Sequence, residues 1–210
     1  MITDQHRGIV VEILQEALTP YGHKIEFIYA PNRRVAHMVE EHQVDGVFNL
    51  AAGALKRVHY SDPIIDYNNV AITRDTFHKP LITLEDLNGL RVVVFQNAPQ
   101  FLGEDFGRIL ERNASFQEVS NQRSQVLMLF SGRADAIIME QRIFDYFYQD
   151  MVARGEIGGH YKVYPLFPPA PRYAAFAREE LRDQFNAGLA QLRKEGRVQR
   201  IIDSYLPATP

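Results

Sequence analysis

The residues able to do chemistry gather where apolar runs end. Glu140 closes the run Ala134–Met139 and opens the helical pattern Gln141–Ala153, where a carboxylate complements the helix dipole. Arg33 and Arg34 sit just inside a helix that begins after Pro31; a cation there opposes the dipole, so its placement asks for an external reason such as an anion. The competing reading is a pair of ordinary surface arginines. Lys56 and Arg57 form a basic pair fit to meet a ligand carboxylate, or else a solvated pair on a short helix. Asn49, Gln96 and Asn97 fall at strand ends and suit hydrogen bonding to a polar ligand, with turn capping as the alternative. Tyr60, Tyr67 and Phe101 are stacking walls or core, and Arg172, after the run Pro168–Pro171, closes a binding site or is a loop charge.

Reactive chemistry has no comparable footing. The seven histidines (His6, His23, His37, His42, His59, His78 and His160) include no HxxxH or HxH pair, and His37 and His42, five apart, fall on different helical faces. Cysteine is absent, which removes disulfides, thiolate metal ligands and cysteine nucleophiles together. There is no GxGxxG, P-loop or GxSxG pattern. No metal and no cofactor is expected, and the chain is not expected to be an enzyme.

Bulk properties agree with an ordinary globular protein. The 210 residues are 46% hydrophobic and 23% charged with a formal net charge of -3, ordinary values for a folded chain of one large domain or two small lobes. Mixed charge of both signs argues against nucleic acid or a membrane surface as partner. No apolar run approaches the ~20 residues that span a bilayer. The start, MITDQHRG, lacks the basic and hydrophobic regions of a signal peptide.

These residues must be positioned by alternating helices and strands. Val10, Ile13, Leu14, Ala17, Leu18 and Tyr21 recur at helical spacing, and Gly22 caps that helix. Lys24–Ala30 reads as a strand, a second helix carries Val35, Met38, Val39 and His42 on its buried side, and Val44–Leu50 is the next strand. Such a unit predicts a parallel sheet and an α/β fold. After the extended segment Asn69–Arg74 the alternation resumes: Thr83–Leu87 as a capped turn, strand Arg91–Phe95, a helix through Leu102, Phe106, Ile109 and Leu110, strand Phe116–Ser120, helix Gln122–Phe130, strand Ala134–Met139 and helix Gln141–Ala153. Strand Tyr173–Arg178 and two helices close the chain. Two α/β sets joined by two extended segments predict two lobes that hinge on a small molecule, in a cleft walled by strand ends and helix N-termini.

The order and wording of these segments resemble bacterial extracellular solute-binding proteins of family 3, the periplasmic amino-acid-binding type. The residues that carry this are RGIVVEIL (Arg7–Leu14), VDGVFN (Val44–Asn49), YSDPI (Tyr60–Ile64), NNVAITR (Asn68–Arg74), LEDLNGLRVVVFQ (Leu84–Gln96), SGRADAIIME (Ser131–Glu140) and KEGRVQRIIDSYL (Lys194–Leu206). The resemblance implies a two-lobed, type II periplasmic binding fold with two mainly parallel sheets and two crossover strands. Lobe 1 is expected from residues 1–73 with 177–210, and lobe 2 from 74–176. It also implies that Glu140 matches the family's acidic residue for a ligand ammonium group.

The departures concern the ligand. A strand that precedes the RGI segment in the family is missing, Met1 standing in its loop, so an N-terminus absent from this chain, export signal included, is expected. Asn49–Arg57 offers no Ser or Thr where the family places a hydroxyl turn, and Arg57 lies closer to Ser61-Asp62-Pro63 than the family's carboxylate-clamping arginine. In Gln96–Phe101, Pro99 has no backbone donor. The expected function is capture of a small polar solute, an amino acid or related amine or carboxylate, for an ABC transporter. The ligand set is Glu140, Arg57, Arg34, Asn49, Asn97, Tyr60 and Arg172. A periplasmic monomer with a permease or receptor partner follows from the same resemblance. The alternatives are the sensing domain of a membrane receptor, against which the ending SYLPATP speaks as a natural terminus, and a dehydratase-like enzyme on the same fold with Glu140 as general acid.

Overall fold

The computed structural model describes residues 8–28, 30 and 32–205, with side chains at all of these except positions 32, 33 and 36. In chain order the first elements are α1 (Ile9–Leu18), α2 (Asn32–Glu40), β1 (Gly46–Leu50), β2 (His59–Tyr60), β3 (Ile65–Tyr67) and β4 (Asn69–Arg74). Next come β5 (Val92–Phe95), α3 (Ala98–Leu102), α4 (Glu104–Arg112), β6 (Phe116–Val119), α5 (Gln122–Phe130), β7 (Ala136–Glu140) and α6 (Gln141–Ala153). The chain closes with β8 (Tyr161–Tyr164), β9 (Ala170–Phe176), α7 (Glu179–Lys194) and α8 (Arg197–Tyr205). It divides into two compact units, one of residues up to Tyr67 together with those from Ala170 onward, the other Asn68–Pro169.

The first unit is built on β9. β1 pairs with it along one side and β2 and β3 along the other, all antiparallel, with Gly46 opposite Phe176 and Ile65 opposite Arg172. The helix face predicted for the first segment is the face α1 buries: Val10, Ile13, Leu14, Ala17 and Leu18 pack with Phe185, Leu189 and Leu192 of α7. Gly22, at φ 80°, ends the short 3-10 turn that follows α1, a left-handed position where glycine carries no steric cost. α8 is tied back to α1 by Arg197, whose guanidinium donates to both Glu16 oxygens at 2.7 and 2.8 Å, and by the Tyr205 hydroxyl, which donates to Glu12.

The second unit is a five-stranded sheet in the order β6-β5-β7-β4-β8. β5 runs parallel to β6 and β7, while β4 is antiparallel to β7 and β8. Its centre is apolar on both faces. Ala71, Val92, Val94, Ala136 and Ile138 meet Phe106, Ile109 and Leu110 on one side. Val70, Ile72, Val93, Ile137 and Met139 meet Val126, Leu129, Phe144 and Met151 on the other. Helices on both faces explain why these strands read as unbroken apolar runs instead of alternating ones.

Several local expectations are corrected. Lys24–Ile28 is not a strand, although Ile25 and Phe27 pack against the core, and Tyr29 lies outside the described residues. The pairings of the first unit are antiparallel among the described residues, because β1 takes β9 as neighbour. Side-chain alternation records which face is buried and is silent on the backbone partner. His42 lies beyond α2, exposed and at φ 56°. The helix expected through Leu102 and Phe106 is two helices, broken at Gly103 with φ 97°. The breaks between units fall at 67/68 and 169/170, since β4 joins the ladder of the second unit and β9 that of the first.

Candidate functional site

In the second unit the chemistry centres on the junction of β7 and α6. Glu140 is the last residue of the strand and the N-cap of the helix, in extended conformation at φ -68°, ψ 130°. That geometry turns its carboxylate back over the first helical turn. Oε2 accepts from the Ile143 N–H at 3.1 Å and Oε1 accepts from Arg142 Nε at 2.8 Å, with the residue only 4% exposed. The Gln141 N–H donates to the Asn68 carbonyl at 2.9 Å, and Asn69, itself buried, stands opposite Glu140 in the ladder.

One turn further on, Asp145 accepts from the Tyr161 hydroxyl at 3.2 Å. Burial pushes the Asp145 carboxyl above its usual range, opposed by the hydrogen bond from Tyr161 and reinforced by the charge of Glu140. Burial is also the largest cause that carries the Tyr161 hydroxyl up to about 12, followed by the Asp145 charge. The two groups stand in an aromatic cluster: Tyr161 meets Phe144 edge-on at 4.7 Å and Tyr148 at 4.8 Å between centroids.

At the end of β5, Asn97 adopts φ 61°, a left-handed position that asparagine tolerates better than other side chains. Its N–H donates to the Glu118 carboxylate at 3.1 Å, while its side chain and that of Gln96 are exposed. Phe101 is 45% exposed and leans on Phe95 with centroids 6.3 Å apart.

In the first unit Asn49 occupies a bulge in β1: Phe48 and Leu50 are both registered on β9, and Asn49 between them takes φ 67° with its side chain exposed. Bulges of this kind re-aim a side chain away from the ladder. Arg172 lies on β9, buried to 7% exposure, its guanidinium 4.9 Å from the centroid of the Tyr67 ring. Burial lowers its pKa, opposed by Tyr67. Arg34 is exposed on α2, and the side chain of Arg33 lies outside the described residues.

Two candidates take structural partners. Arg57 is on no helix; it pairs with Glu41 at 2.9 Å, with 70% of its side chain exposed, and the Lys56 N–H donates to Glu40 at 3.2 Å. The Tyr60 hydroxyl accepts from the Leu55 N–H at 2.7 Å, and its ring meets Tyr173 edge-on at 6.2 Å. No group of three or more histidine or acidic side chains able to hold a metal occurs among the described residues. The sequence reading missed Arg142 and Asp145. Arg142 lies two residues from Glu140, a spacing that joins no face of a helix, and it becomes a partner only because Glu140 is the cap.

Residues 1–208 match the model of the bacterial extracellular solute-binding proteins, family 3. The chain belongs to this family. Its fold is the type II periplasmic binding fold, shared with solved structures of low identity. An ancestral cationic amino acid solute-binding protein is 18% identical with a TM-score of 0.75, over 99% of this chain and 90% of that one. The GluR0 ligand-binding core in complex with L-glutamate gives 12% and 0.75, over 96% and 90%. The amino acid ABC transporter substrate-binding protein AbpA from Streptococcus pneumoniae, bound to L-arginine, gives 17% and 0.71, over 95% and 83%. No curated protein sequence matches the chain. No helix among the described residues of this family 3 chain is long and apolar enough to cross a membrane.

Proposed function

We propose that this family 3 protein captures a small polar solute, an amino acid or a related amine or carboxylate, in the periplasm and delivers it to an ABC transporter. The observation that carries this reading is the burial of two charged side chains, Glu140 and Arg172, in a family of solute binders. Buried charges are costly, and proteins keep them mainly where they bind, switch or pair. Asn49, Asn97 and Arg34 supply exposed polar groups to the same task, with the Arg57 pair and Tyr60 holding the loop between α2 and β2. Similar proteins bound to L-arginine and L-glutamate put amino acids first among the ligands to try.

The reading is tested by a thermal-shift screen of amino acids, polyamines and small mono- and dicarboxylates. A ligand at ~100 times its dissociation constant stabilises the native state by about 2.7 kcal/mol, a rise of several degrees. A selective hit supports capture; a folded sample that responds to none of these classes overturns it. A sensing domain of a membrane receptor is the second reading, favoured by the likeness to the GluR0 core.

A further inference from the structure

Strand β6 is an edge of the five-stranded sheet, and Glu118 lies on it opposite Val94 of β5. Paired residues share a face of the sheet. On this face Val94 packs with Ala98 of α3 and Phe106 of α4, while Glu118 is exposed. A charge on an edge strand commonly guards it against pairing with other chains. This one has a definite partner as well: the Asn97 N–H donates to its Oε2 at 3.1 Å. The ladder between β5 and β6 ends at Phe95 and Val119, so the acceptor for that N–H comes from a side chain instead of a strand carbonyl.

Asn97 joins β5 to α3 at φ 61°, ψ 21°. Both of its backbone groups are engaged, the N–H by Glu118 and the carbonyl by the Gln100 N–H at 3.0 Å. Asparagine in a turn commonly commits its side chain to the neighbouring backbone. Here the side chain makes no cap bond to α3 and is exposed. The turn is therefore held through the backbone, and the side-chain amide is left to meet something else. For any residue but glycine the left-handed region lies above the extended one in energy, so a fixed acceptor for the N–H helps to select this conformer.

We propose that Glu118 is a positioning residue for solute capture: its carboxylate holds the Asn97 peptide in the left-handed conformation and so aims the Asn97 side-chain amide at the solute. This rests on the capture reading, which counts Asn97 among the groups that meet the solute. Glu118 itself acts through Asn97.

The test uses the whole chain, with L-arginine and L-glutamate as probes and, where neither binds, the tightest member of the amino-acid, polyamine and carboxylate screen. Glu118→Gln keeps an acceptor of the same reach without the charge; Glu118→Ala removes the acceptor. Calorimetry is expected to give binding about fivefold weaker for the alanine variant, the scale of one hydrogen bond, and within about twofold of wild type for the glutamine variant. In an Asn97→Gly background, where φ 61° is free of strain and there is no amide to aim, Glu118→Ala should change binding by less than about twofold. If the alanine variant does not fold, Glu118→Ser, too short to reach the Asn97 N–H and polar enough for a sheet edge, takes its place. Wild-type affinity in the alanine variant overturns the inference and leaves Glu118 as an edge guard. A glutamine variant as weak as the alanine one overturns it in favour of direct contact between the Glu118 charge and the solute. An undiminished loss in the Asn97→Gly background shows that Glu118 does not act through Asn97. Each of these leaves capture standing, whereas a wild-type protein silent to every probe overturns capture and the inference together.

Discussion

At the scale of single residues, Asp145 shows how burial writes a pH dependence into the protein. Its folded-state pKa lies above the ordinary 3.8, chiefly from burial. The native state then holds a proton that the unfolded state has lost, so this group lowers stability as pH rises from its ordinary value through its raised one. Below the ordinary value both states are protonated and the effect vanishes. Asp145→Asn keeps an acceptor for Tyr161 and removes the ionisation, with Glu140, Tyr148 and Tyr161 as the titratable neighbours. Melting curves are expected to show a higher Tm than wild type at pH 7 and no difference at pH 3; a gain of equal size at both would sink the account. Asn49 separates backbone from side chain in the same spirit. Asn49→Gly fits φ 67° and should keep the Tm while weakening solute binding, whereas Asn49→Val forces a β-branched residue into the left-handed region at a cost of about 1–2 kcal/mol. Unimpaired binding by the glycine variant would make Asn49 a turn residue only. Glu140, Asn49 and Asn97 were legible in the sequence as polar residues closing apolar runs. Their conformations were not, because a bulge or a cap is set by what the neighbouring strand does. Arg57 and Tyr60 were legible as residue types, and their partners Glu41 and Leu55 only in three dimensions.

At the scale of elements, α5 and α6 were legible to the residue because caps mark them, whereas α3 and α4 read as one helix. Asn121 accepts from the Ser124 N–H at the start of α5, and Glu140 does the same for Ile143 at the start of α6. Thr83 and Asp86 form a reciprocal capping box around the turn Leu84–Leu87. The segment Lys24–Ile28 shows the opposite case: alternation without a ladder. Close contact between elements was equally hidden. Gly188 lies where α7 crosses α1 so tightly that a Cβ there would stand 2.0 Å from the Ala17 carbonyl oxygen. Gly188→Ala must therefore push two packed helices apart, and overpacking of a core contact costs about 1–3 kcal/mol or more. Gly107, inside α4, is the control: the nearest atom to its added Cβ is 3.8 Å away. There alanine gains helix propensity, about 0.5–1 kcal/mol. Urea melts should move in opposite directions for the two substitutions. A Gly188→Ala protein as stable as wild type would show that the crossing of α1 and α7 can absorb a methyl group.

At the scale of the whole molecule, chain connectivity makes the second unit an insertion in the first. Asn68–Pro169 is one continuous stretch of 102 residues (169 − 68 + 1) with its own two-faced core. That length is in the usual range for an independent domain. The first unit has no such autonomy on either side of the insertion, because β9, α7 and α8 supply the strand and helices against which α1 and β1–β3 pack. The register shows how the insertion can be removed. Tyr67 stands directly opposite Ala170 in the antiparallel pair of β3 and β9, so the points of departure and return are cross-strand neighbours. Joining Tyr67 to Ala170 by Asn-Gly converts the two crossings into one tight hairpin, since this dipeptide favours the turn that matches strand twist. Two expectations follow for the excised pieces. Residues 68–169 alone should melt cooperatively with dispersed amide resonances, and the hairpin-joined remainder should fold when its two segments are linked and fail when either is expressed without the other. A molten 68–169 fragment would mean that its sheet depends on the first unit, and the view of an inserted domain would fall.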